Sequence, residues 1–175
     1  MRRISADQAL RRGSIDGLLV SVVIAVFVVV TNVVFPGGPQ ESDADPEYRV
    51  RYGITLAVLA VLLAVIGAHG RHSARESRAG IVAGIKAGAA AGAVIAVMIT
   101  VTFLAVNTLF LGIVSHQHDK RIAFAASGWT SLRAYLTVTQ LRGALFLVPA
   151  LAVAGAALGL AGAAVYGGRR DVSVR

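Results

Sequence analysis

Cysteine is absent from this chain of 175 residues. Disulfides, thiolate chemistry and Cys-ligated zinc or iron-sulfur centres are therefore excluded, and cysteine usage leaves the redox compartment open. Charge is scarce as well. Only 15% of residues are charged while 56% are hydrophobic, so a water-soluble surface cannot be assembled from what remains. Lysine is nearly missing, with two against fifteen arginines, and with abundant Ala, Gly and Val this is the composition of a high-GC bacterial genome. Also lacking are a Walker loop, HExxH, GxSxG and any pair of carboxylates at membrane depth. No enzymatic activity and no cofactor are expected. The net charge of +8 raises the question of nucleic acid, but the arginines sit at the ends of apolar segments and form no basic stripe interleaved with aromatics. Charge here bears on orientation, and no nucleic-acid partner is expected.

What fills the chain is apolar sequence, in four long stretches centred near Val26, Leu59, Ile95 and Ala152. Each is near or beyond the roughly 20 residues that a helix needs to cross a bilayer. The pattern predicts an all-α integral membrane protein, a single four-span domain over residues 1–175 folded as a four-helix, up-down bundle. The predicted spans run from about Gly17 to Phe35, Tyr52 to Ala68, Gly80 to Val114 and Gly143 to Tyr166. The first is longer than a signal-peptide core, and Pro36-Gly37-Gly38-Pro39 offers no small-x-small cleavage site, so it is read as a retained helix. Asp16, just before it, is a candidate N-cap.

Orientation follows from basic residues, which stay cytoplasmic. Arg2, Arg3, Arg11 and Arg12 precede span one, Arg71, Arg75 and Arg78 follow span two, and Arg169, Arg170 and Arg175 form the tail. Both termini are accordingly expected in the cytoplasm, with the protein in the plasma membrane. Glu41, Asp43, Asp45 and Glu47 would lie outside, and the third connection, with Lys120, Arg121, Arg133 and Arg142, runs against the rule. Lys86 is the one charge well inside a span, close enough to its cytoplasmic end for the side chain to snorkel.

Gly80 to Val114 is 35 residues, too long for a hydrocarbon layer of roughly 30 Å, so part of it must tilt, project or break. Residues 119–141 are semi-polar, and an interfacial or projecting segment interrupted at Gly128 is expected there. Phe124, Trp129, Arg133 and Tyr135 in this segment are a candidate partner surface. Val-Ile-Ala-Val occurs at residues 23–26 and again at 94–97, each followed by an Asn-x-x-Phe-x-Gly sequence, which points to a duplicated hairpin.

The clearest motif is Gly80, Gly84, Gly88 and Gly92, with a counterpart in Gly155, Gly159, Ala163 and Gly167. In lipid there is little hydrophobic drive between helices, and residues without bulk at every fourth position let two backbones approach closely. An intramolecular seam between spans three and four is the first expectation. The alternative is a glycine zipper, the same Gly80 stripe lining a channel or transporter path in a ring of identical subunits, with Thr100 and Asn107 above it. Thr100, Asn107 and Thr108 extend the glycine face as a candidate polar pocket, against which stands hydrogen bonding to helix carbonyls. His116, His118 and Asp119 are weak metal-ligand candidates, because residues two apart converge only in extended chain, and no metal is expected. The sequence thus reads as a non-catalytic subunit or accessory of a membrane complex. Its partners are the lipid bilayer and either a second copy of itself or a larger membrane protein.

Overall fold

A computed structural model describes residues 6–34, 46–72 and 77–172, with the side chains at 6, 46–49, 51, 52, 72, 77, 78, 118, 119 and 166–172 outside that description. Every regular element among the described residues is helical. Helix α1 covers Ala6–Val29 and passes directly into a π-helical turn, Val30–Val34. Helix α2 covers Pro46–His72 and opens on proline, whose missing N–H is one that a helix start leaves unbonded in any case. Helix α3 covers Ser77–Leu109, the short α4 Leu111–Val114, α5 His118–Ala126 and α6 Leu132–Val172. Four stretches, Asp7–Val34, Gly53–Arg71, Ala79–Leu109 and Leu132–Val165, are long and apolar enough to cross a membrane. They make the chain a multi-pass membrane protein.

The boundaries differ from the sequence expectation at three places. Helix α1 begins at Ala6, so Asp16 lies within the helix and caps nothing. The expected span from Gly80 to Val114 breaks at Phe110, which leaves the helical basin at φ −113, ψ 31. A straight helix would carry Val114 about 12 Å beyond Val106. The break instead folds Val114 back, fully buried, into a cluster with Val106 and Leu136. Finally, α6 starts at Leu132 and not at Gly143, so residues 132–141 of the expected interfacial or projecting segment are the first part of a 41-residue helix. Ser131 starts it, its Oγ accepting from the Ala134 N–H at 3.3 Å in the manner of an N-cap. Leu132, Tyr135 and Leu136 share one helical face, and that face packs on Val106 and Val114.

Helix α3 sits at the centre, packed against α1, α2 and α6, and α2 also touches α6. The core beneath is built from Leu63, Ile66, Ala87, Ala91 and Ile95, and Ile24 and Ile95, the isoleucines of the two Val-Ile-Ala-Val sequences, meet there. Outward, Leu19, Val23, Phe27, Leu145, Phe146 and Val153 are exposed, an apolar exterior that suits hydrocarbon.

Candidate functional site

The glycine positions of α3 are turned toward the chain's own helices. Gly92 lies on the Leu151 backbone, Gly88 on Gly155, and Gly84 against Gly159 and Ala163. Residue numbers fall along α6 as they rise along α3. Any Cβ added to Gly88, Gly92, Gly155 or Gly159 would overlap backbone atoms of the opposite helix, which is why only glycine fits there. Gly80 departs from the pattern. Its neighbour is the Cγ of Arg71, 2.9 Å from where a Cβ would stand, so the first member of the stripe packs on α2. Gly167 falls in the part of α6 whose packing is outside the described residues.

The sequence reading passed over further close approaches. Gly13 and Gly17 of α1 lie on Ala87 and Ala91, Gly67 of α2 on Gly159, Gly70 on Ala83 and Ala87, and Gly162 of α6 on Ala64. The signal was present as Gly13/Gly17, four apart, and Gly67/Gly70, three apart. Each pair is too short to read as a stripe, and Gly13 lies before the predicted start of its span. Glycine and alanine therefore bring three helices onto α3.

Arg71 adds a directional tie. Its stem crosses Gly80 and its Nη1 donates to the Ala163 carbonyl oxygen at 2.6 Å. Arg71→Met keeps the stem and removes the bond. A hydrogen bond from a charged donor contributes about 1.5–3 kcal/mol. The melting temperature of the Arg71→Met protein in detergent is expected to fall, and an unchanged melt would show that the bond contributes nothing.

The three residues of the candidate pocket differ in burial and in hydrogen bonding. Thr100 is buried, with its Oγ1 donating to the Ala96 carbonyl at 2.9 Å, and Thr108 is exposed, with its Oγ1 donating to the Leu104 carbonyl at 2.6 Å. Only Asn107 stands out. It is 5% exposed, and its Oδ1 has no hydrogen-bond partner. Polar groups on the π-helical turn are already bonded: Thr31 Oγ1 to the Phe27 carbonyl, Asn32 Nδ2 to the Val28 carbonyl, and the Asn32 carbonyl to Gln117 Nε2 at 3.2 Å.

His116 is exposed and its Nδ1 lies 2.6 Å from the Gly112 carbonyl, while the side chains of His118 and Asp119 are outside the described residues. Among the described residues no three His, Cys, Asp or Glu side chains gather where a metal would bind. Lys86 is half-buried on α3.

The aromatic residues come together at the corner between α5 and α6. Tyr135 has its ring 5.8 Å from Phe124 and 6.4 Å from Trp129, tilted at 55° and 61°, the edge-on geometry that aromatic quadrupoles favour. The turn between them needs Gly128, whose φ of 72 is the left-handed conformation glycine adopts without a Cβ penalty. Ser127 ties it, donating from Oγ to the Phe124 carbonyl and accepting from the Trp129 N–H. Trp129 and Arg133 are exposed. No known protein family, curated protein or solved structure matches the chain.

Proposed function

We propose that this chain is a small, non-catalytic multi-pass subunit of the plasma membrane, an up-down bundle with both termini cytoplasmic. It associates with a second copy or with a larger membrane protein. The observation that carries this reading is the inward turn of Gly84, Gly88, Gly92, Gly155 and Gly159, all against the chain's own backbones. A path between subunits lined by those glycines finds little support in that arrangement. What the protein offers a partner is surface, and its most distinctive feature is the corner where Trp129 and Arg133 are exposed beside the half-buried Phe124 and Tyr135. Aromatic residues and arginine dominate binding energy at interfaces. The asymmetry of arginines supports the orientation.

Photo-crosslinking from position 129 in native membranes is expected to trap one species of discrete mass, a dimer or a hetero-complex. In the purified complex, Trp129→Ala should weaken association by tenfold or more, since truncating an aromatic anchor costs about 2 kcal/mol or more. A monomer-sized particle in nanodiscs with no crosslinked species in native membranes would sink the subunit reading. Ion flux through a purified symmetric ring would establish the channel instead.

A further inference from the structure

Arg142 presents a problem that the bundle itself does not solve. It lies in the stretch Leu132–Val165, which is apolar enough to cross a membrane, and its side chain is exposed. Ten residues into α6, it stands about 15 Å along the axis from Leu132. A guanidinium stays charged and is costly against hydrocarbon unless it meets water, a headgroup or a counter-ion.

The surroundings narrow the choice. Arg142 lines an open groove of about 590 Å³ whose other walls include Val138, Leu141, Leu145, Val148 and Pro149, all from α6. Arg142 is the one charged residue in that lining. From Arg142 the groove runs toward Pro149, which falls near the middle of the stretch Leu132–Val165. Arg142 stands between Val138 and Leu141 on its outer side and the longer apolar stretch Leu145, Val148 and Pro149 on its inner side, so a headgroup on Arg142 leaves apolar surface inward for an acyl chain. Pro149 has no N–H to offer the Leu145 carbonyl, so the helix ladder is interrupted along the groove. The guanidinium fork matches phosphate oxygens bidentately.

We propose that this groove on α6 holds one anionic phospholipid, with its phosphate on Arg142 and an acyl chain along Leu145 and Val148 toward Pro149. The site is independent of the aromatic corner and of any partner that corner binds. Charge complementarity between the one guanidinium and a phosphate, beside an otherwise apolar lining, favours an anionic lipid over a protein segment.

The test uses the full chain in detergent, titrated with phosphatidylglycerol or with phosphatidylcholine of equal chain length, the bound lipids being counted by native mass spectrometry. One phosphatidylglycerol should be retained with about tenfold preference over phosphatidylcholine, the scale of one well-placed charged contact. Arg142→Gln should abolish the preference, and Arg142→Lys should keep part of it. Because Arg142 is exposed, neither change should alter the melt measured without added lipid. Leu145→Trp fills the apolar part and leaves the charge, so it should weaken phosphatidylglycerol retention by itself. Equal retention of the two lipids by the wild type, or an undiminished preference in Arg142→Gln, would overturn the proposal. Displacement of the lipid by millimolar inorganic phosphate would also overturn it, by showing a site for a free anion only.

Discussion

Gly88→Leu is expected to separate α3 from α6 and to lower the melting temperature in detergent by roughly 6–12 °C, the shift corresponding to about 3 kcal/mol in a chain of this size. A Cβ at this position would overlap the carbonyl oxygen of Gly155. It would also stand 2.9 Å from that residue's carbonyl carbon and 3.0 Å from the Cα of Gly159. Each of those neighbours is backbone, so no side chain can rotate away to make room, and leucine adds three further carbons beyond the Cβ. The helices must move apart, and in lipid the lost contact is the main attraction between them. Gly159→Leu should behave alike, with Gly84 and Gly88 as the obstructed neighbours. Gly143 supplies the control, because it lies in the same α6 with nothing within 4 Å of its added Cβ. Gly143→Leu should leave the melt near that of the wild type. If Gly88→Leu and Gly159→Leu also melt with the wild type, the close approach of α3 and α6 does not hold the fold together.

How much of this was legible before the structure depends on which physical signal each feature leaves. Spans are written in length and apolarity, which survive without knowledge of any neighbour, and four apolar helices stand where four apolar runs are read. Glycines four apart announce a face, and the runs in α3 and α6 were long enough to be seen. What the spacing does not state is the identity of the opposite helix. Gly80 shares the period of Gly84 and Gly88 yet meets Arg71, because α2 and α6 divide the face of α3 between them. Arg71 itself reads in sequence as one more topological charge, and its bond to Ala163 joins residues 92 apart. The break at Phe110 was invisible for another reason. Residues 109–114 are apolar throughout apart from Gly112, and only the space that Val114 fills beside Val106 and Leu136 decides where the helix ends. By contrast, the start of α6 carried a local signal in Ser131, overlooked because the arginines and aromatics around it suggested an interface.

Asn107→Leu is expected to raise the melting temperature, against the usual direction for a core substitution. The residue is 5% exposed, beside Val106 at 1%, and its Oδ1 accepts no hydrogen bond. An orphaned buried acceptor costs about 1–3 kcal/mol, and replacing the group by an apolar side chain of similar size recovers that cost without opening a cavity. At roughly 2–4 °C per kcal/mol for a chain of this length, the gain lies well within measurement. Asn107→Ala separates the two contributions, since it removes the orphan but leaves a void, and its melt should fall below that of the leucine variant. The hydroxyl protons of Thr100 and Thr108 are not available to the amide oxygen, because each is already donated to a carbonyl one turn back on α3. A lower melt for Asn107→Leu would mean that the carboxamide has a partner, a bound water or a ligand, whose loss outweighs the relief of burying carbon in place of oxygen.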